Sequence, residues 1–314
     1  MLVAILSFIG GLVLLALGAE GLVRGSSSIA LRMGVTPLVV GLTIVAFGTG
    51  SPEMVVSLRA ALADRGDLAL GNIVGSNIAN IALILGLSAL ARPLHVRSAL
   101  LWRELPVMIG VTLLVVALLR DGELGRVDGA ILAAGAAVYT IGIYLASRRD
   151  RDAEVAAEFS QEMRAPRAST WRSIALVLGG LAGLVVGANV LVRGAVVVAH
   201  ALGMSDVMIG ITIIAIGTSL PELATSVVAA LRNDADVAFG NVLGSNILNI
   251  LLILGVLAMI QPIAATALRP LDIAALVASA VLLYPLLWRG RILNRWEGAL
   301  LVAGYVAYLV FAIR

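Results

Sequence analysis

The chain has 314 residues, of which 61% are hydrophobic and 13% charged, and its mean hydropathy is +1.05. A soluble domain of this size could not cover so much apolar surface with so few charges, which places the chain in a membrane. The net charge of +3 rests on arginines scattered between apolar runs, which argues against a nucleic-acid partner, and the absence of cysteine excludes disulfides, thiolate metal sites and cysteine nucleophiles.

Crossing a hydrocarbon layer of roughly 30 Å takes about 20 helical residues, and the sequence predicts ten such segments. The first, 2–23, opens MLVAILSFIGGLVLLALGAEGLV with no basic stretch ahead of it and no small-residue cleavage site, so it reads as a retained helix. Segment 37–62 carries AFGTGSPE, 68–90 carries GNIVGSNIAN, and 99–119 and 127–146 complete a first half, 1–146. Ser147 to Arg172 is hydrophilic, mixed in sign and contains a proline, as a surface linker would. Segments 173–200, 206–231, 237–259, 268–288 and 295–313 make a second half, 173–314.

The halves repeat. GLTIVAFGTGSPEMVVSLRAAL from Gly41 matches GITIIAIGTSLPELATSVVAAL from Gly210, and GNIVGSNIANIALILG from Gly71 matches GNVLGSNILNILLILG from Gly240, all at an offset of 169. Gly18/Gly187, Arg24/Arg193, Pro93/Pro262 and Asp128/Glu297 keep the same offset. Five spans per half is an odd number, so the second half enters the membrane from the opposite side. The fold class expected is therefore an all-α membrane protein of ten transmembrane helices, built as two inverted five-helix repeats with broken helices at the midplane, where transporters of this plan place their substrates. With the linker in the cytoplasm, 15 of the 22 arginines fall on that side, which satisfies the positive-inside rule and puts both termini outside a prokaryotic inner membrane.

Glu53 and Glu222 are the sharpest chemical signal. Each lies deep in an apolar segment directly after a proline, where an ionised side chain costs about 2.5–3.5 kcal/mol to insert and so faces a cavity, a partner or an ion. A buried structural Glu paired with arginine is the alternative, but the feature occurs twice with no Arg or His nearby in sequence. Pro52 and Pro221 lack an amide, and Gly48 and Gly217 weaken the preceding turn, so broken helices would offer carbonyls of Ala46, Phe47, Ala215 and Ile216 as hard oxygens. Thr49, Thr218 and Ser219 add hydroxyls, although each could merely bond its own helix. Ser76 and Asn80, repeated as Ser245 and Asn249, read as ligands on one helical face. Asn72, Asn77, Asn241 and Asn246 read equally as ligands or as interhelical glue. An oxygen-only set suits calcium or sodium rather than a transition metal. Asp67 and Asp236 read as N-caps or water-facing entrance residues, Glu20 as a helix-surface partner of Arg24, and His95 and His200 as solvated loop positions.

At GTGSPE/GTSLPE and GNIVGSNIAN/GNVLGSNILN, and in its five-plus-five layout, the whole chain resembles the sodium/calcium exchanger superfamily of cation/calcium antiporters, in the short prokaryotic form. The resemblance implies that Glu53 and Glu222 are the central carboxylates for calcium, shared with sodium, and that Asn80 and Asn249 complete the middle of the site. It implies that Thr49, Thr218, Ser76, Ser245 and Ser219, with the carbonyls of Ala46 and Ala215, serve flanking sodium sites, and that the first and sixth spans slide to alternate access. Two departures stand out. Asn249 replaces the Asp of many sodium-coupled members, and Gly50 stands where its counterpart is Ser219. The expected function is exchange of calcium for sodium, with calcium/proton exchange as the alternative, a cation channel as a lesser one, and no potassium requirement. Calcium, sodium and the lipid bilayer are the partners expected, with no cofactor and no obligatory protein partner. No protease signature or Ser–His spacing points to an enzyme.

Overall fold

In hydrocarbon every backbone polar group must be bonded within the protein, so the apolar runs fold as helices. The computed structural model describes residues 2–33, 35–98, 100–149, 169–201, 215–265, 268–288 and 290–313. The helices are α1 (Leu2–Met33), α2 (Pro37–Thr49), α3 (Ser51–Leu62), α4 (Gly66–Ala91), α5 (Leu100–Asp121), α6 (Arg126–Arg149), α7 (Thr170–Ala201), α8 (Ala215–Thr218), α9 (Leu220–Leu231), α10 (Ala235–Ile260), α11 (Pro270–Trp288) and α12 (Arg295–Ile313). Among the described residues, eight are long and apolar enough to cross a bilayer, and α2–α3, bent by 45°, makes a ninth. Of the expected span 206–231, residues 206–214 lie outside the described residues, as do 150–168 of the linker.

The first span runs ten residues past its predicted end. Arg24 is neutralised by Glu20 at 2.5 Å, and the serines that follow bond to protein: Ser26 Oγ donates to the Val23 carbonyl at 3.1 Å, and Ser28 lies 2.8 Å from Ser173 on α7. Polar composition ended the hydrophobic run but not the helix. Glycines carry the α1–α7 contact. A Cβ on Gly18 would fall 2.7 Å from the Leu184 nitrogen, and one on Gly180 would fall 2.6 Å from the Leu22 nitrogen, so the two backbones touch directly.

α4 and α10 are the innermost helices: 78% of the apolar window of each is buried, against 44% or less in the other spans. Each is closed by the last helix of the opposite half. Gly86 of α4 meets Gly298 of α12, and Gly255 of α10 meets Gly129 of α6, with a Cβ at Gly86 or Gly129 falling within 2.9 Å of the partner glycine's carbonyl. Short strands repeat the crossing. β1 (Leu94–His95) pairs antiparallel with β4 (Ile292–Leu293), and β2 (Glu123–Leu124) with β3 (Ile263–Ala264). His95 therefore lies in a strand rather than a loop, and His200 in the last turn of α7; both side chains are exposed.

Candidate functional site

Both central helices widen into π-helical turns, Ala79–Leu85 in α4 and Asn249–Leu254 in α10, and α2 does so at Gly41–Val45. Turns of this kind recur at functional sites. The proline-containing helices break at equivalent points, at Gly50 (φ −75°, ψ 0°) and at Ser219 (φ −89°, ψ 7°), so that α3 and α9 each start afresh with Glu53 or Glu222 in the first turn. There the unpaired amides and the helix dipole favour a negative charge. Gly48 and Gly217 have a second role beyond weakening a turn. A Cβ at either would strike α7, 2.5 Å from Leu181 or 2.4 Å from Val192.

The two breaks face one another. Ser219 Oγ donates to Glu53 Oε1 at 3.0 Å, and a Cβ at Gly50 would lie 3.8 Å from Glu222 Oε1 and 3.7 Å from Asn249 Oδ1. Both carboxylates are buried, and Glu53 Oε2 and Glu222 Oε2 have no partner. Asn80 Oδ1, Ser245 Oγ and Thr225 Oγ1 are also buried without a partner. An unsatisfied buried oxygen is costly unless something binds it, and here five such atoms occur, three of them on Glu53, Glu222 and Asn80. Among the described residues no three His, Cys, Asp or Glu side chains gather at one point; the acidic content of this cleft is the single pair. A narrow crevice, lined by Ala46, Gly50, Ser51, Met54, Leu248 and Asn249 among others, runs beside it.

The remaining predicted residues divide into two groups. Thr49 Oγ1 donates to Asn241 Oδ1 at 3.0 Å, Ser76 Oγ to the Asn72 carbonyl at 2.8 Å, and Asn249 Nδ2 lies 3.4 Å from Ser76 Oγ. Thr218 is buried at the end of α8, whose first residue is Ala215. The Ala46 carbonyl is not released by the break: it accepts the Gly50 amide at 3.0 Å, which leaves one lone pair for another donor or an ion. Asn72 and Asn241 act as glue, donating to Ser57 and Ser226 at 3.0 and 2.9 Å.

At the edge of the site one expectation needs correction and another extends further than the sequence suggested. Asp236 lies inside the first turn of α10 rather than at its cap, and Arg97 pairs with it at 2.6 Å; Asp67 is exposed in the first turn of α4. Glu20 does more than pair with Arg24. It also bonds Arg232, while Ser27 donates to Asp234 at 2.7 Å, which ties α1 to the turn between α9 and α10. Burial pushes the Asp234 carboxyl above its usual range, against the opposing pull of Ser27, the Val237 amide and the charges of Arg232 and Arg97. These ties escape sequence reasoning because their partners are about 200 residues apart. Thr225 escaped because its counterpart is Val56, so the repeat gives it no signal.

Comparison with known proteins gives a family and several relatives. The family described as sodium/calcium exchanger protein matches residues 3–145 and 172–314. The chain is similar to the sodium/calcium exchanger MaX1 of Methanosarcina acetivorans, with 31% identity over 96% of this chain and 95% of that one. It is 38% identical to the inner membrane protein YrbG of Escherichia coli, over 98% and 96% of the two chains. Of solved structures, that of the sodium-calcium exchanger NCX_Mj soaked with zero Na+ and Ca2+ superposes with a TM-score of 0.86 at 33% identity, covering 100% of this chain and 99% of that one.

Proposed function

Because the chain belongs to the sodium/calcium exchanger family, we propose that it exchanges calcium for sodium across the membrane by alternating access, with both ions using the cleft between Glu53 and Glu222. The observation that carries this reading is the pairing of two buried carboxylates, one from each repeat, each with an unpartnered oxygen. Two carboxylates balance one divalent cation. Asn80, Asn249 and the hydroxyls of Thr49, Thr218, Ser76, Ser245 and Ser219, with the Ala46 and Ala215 carbonyls, supply the neutral oxygens that hard cations take.

Sodium is favoured over protons as the counter-ion by those same oxygens. A proton needs only a carboxylate, whereas sodium needs several neutral ligands and no change in protonation. Two carboxylates leave a load of several sodium ions less well compensated than three would, and the pair gives no reason for a potassium requirement.

In this reading the chain is two inverted five-helix repeats, 1–146 and 173–314, with the linker in the cytoplasm and both termini outside. α1 packs closely on α9, while its counterpart α7 does not pack in that way on α3 among the described residues. With the linker inside, the closed face is cytoplasmic, and the crevice beside Gly50 and Asn249 is the outward entrance. The test is calcium uptake into proteoliposomes with sodium and pH gradients imposed separately at clamped voltage. An opposing sodium gradient should drive calcium uptake at constant pH. Uptake driven by a pH gradient alone, with sodium inert, would overturn the assignment.

A further inference from the structure

The buried amides of Asn77 and Asn246 reach across the contact between α4 and α10 to each other's main chain. Asn77 Nδ2 donates to the Asn246 carbonyl at 3.2 Å, and Asn246 Nδ2 to the Asn77 carbonyl at 3.3 Å. A main-chain carbonyl can only accept, so each side-chain amide is fixed with its nitrogen toward it. Their oxygens are thereby turned the other way. Asn246 Oδ1 accepts from Asn80 Nδ2 at 3.0 Å, and Asn77 Oδ1 accepts from Asn249 Nδ2 at 3.1 Å. The second pair of amides is now fixed in turn, with both nitrogens occupied. Asn80 Oδ1 is left buried with no partner, and Asn249 Oδ1 faces the space beside Gly50 and Glu222.

We infer that Asn77 and Asn246 are positioning residues, which hold the side-chain oxygens of Asn249 and Asn80 toward the transported cation by a relay that starts at two main-chain carbonyls. The inference rests on reading the Glu53–Glu222 cleft as the ion site. The relay is crossed: Asn246 acts on Asn80 of the other repeat, and Asn77 on Asn249. Without Asn246, the Asn80 amide can turn over and present its NH2 group, a donor, to a cation. Asn249 has Ser76 Oγ as a second, longer acceptor at 3.4 Å, so losing Asn246 weighs more than losing Asn77.

The experiment is equilibrium calcium binding to the purified full chain, arranged as double-mutant cycles, since a residue that acts only through another loses its effect once that other is gone. Asn246→Ala and Asn80→Ala should each weaken calcium binding by about tenfold, and the double variant should bind within about twofold of Asn80→Ala alone. Asn246→Ala combined with Asn249→Ala, the uncrossed pair, should instead multiply the single losses. Multiplicative losses in the Asn246/Asn80 cycle, or unchanged binding in Asn246→Ala, would overturn the relay. A purely structural role would lower stability without this crossed pattern. The Asn246→Ser and Asn80→Ser series gives the same cycle if an alanine variant does not yield monodisperse protein. The readout needs no gradient, so it is independent of the coupling ion. A parent protein that binds no calcium overturns the ion-site reading itself, whereas a parent that binds with an additive cycle overturns only the relay.

Discussion

Glu53 and Glu222 stand in the first turns of two broken helices, each with one oxygen bound to nothing in the protein. Glu53→Gln or Glu222→Gln removes the charge and keeps the shape, so calcium exchange should fall to background while the protein still purifies as a folded membrane protein. Near-parental flux in both single variants would remove the site. Gly50 offers the opposite experiment. Its backbone, at φ −75° and ψ 0°, is open to any residue, and a Cβ there would lie 3.0 Å from the Ala46 carbonyl oxygen, 3.7 Å from Asn249 Oδ1 and 3.8 Å from Glu222 Oε1, across from Ser219 and Glu53. Gly50→Ser should therefore add a hydroxyl ligand and lower the half-saturating sodium concentration by about threefold or more, the scale of a fraction of one charge-assisted bond. Gly50→Ala, which fills the space without an oxygen, should not. The glutamates, the Ser/Asn pairs and the anomaly at Gly50 were legible in the sequence because a repeat at one fixed offset prints each candidate position twice. The amide orientations were not, because they depend on which neighbour presents a main-chain carbonyl.

Helix contacts here rest on absent side chains, which makes neighbouring glycines unequal. A Cβ at Gly180 would overlap the backbone of α1, whereas one at Gly179 meets nothing within 4 Å. Gly180→Ala should destabilise the purified protein by about 1–3 kcal/mol, the usual cost of overpacking, and Gly179→Ala should be neutral or slightly stabilising, since it relieves the helix of a flexible residue. Thermal unfolding of the two variants side by side checks this, and equal behaviour would mean that α1 and α7 do not touch as described. Hydrophobic runs located the helices well, yet they misplaced the end of α1, where Ser26 and Ser28 end the apolar run and are instead bonded within and between helices. They also gave no hint of the π-helical turns, which depend on which carbonyl each amide reaches.

The two faces of the molecule are not equivalent although the halves repeat. Glu20, Ser27, Arg232 and Asp234 tie α1 to the α9–α10 turn, and their counterparts are Asn189, Val196, Ala63 and Arg65, which cannot build the same ties. Exposed pairs of this kind contribute about 0.2–1 kcal/mol, so Glu20→Asn should raise the population open on that face by no more than about fivefold. The rate at which a cysteine at Thr225 reacts with reagent from that side measures it, and no change would mean the ties are incidental. Ser160→Cys tests which side that is: impermeant reagent should label it only from the cytoplasm, and labelling from outside would invert the orientation. The crossed closure of Gly86 on Gly298 and of Gly255 on Gly129 bears on how the chain is made. α4 leaves the ribosome more than 200 residues before its partner α12, and at about 5–20 residues per second that is a wait of roughly 10–40 s. Until α10 emerges, Asn77 and Asn80 lack Asn246 and Asn249, the partners they bond in the folded protein. Chains cut short before α10 leave these amides without those partners and should be the ones that quality-control proteases remove.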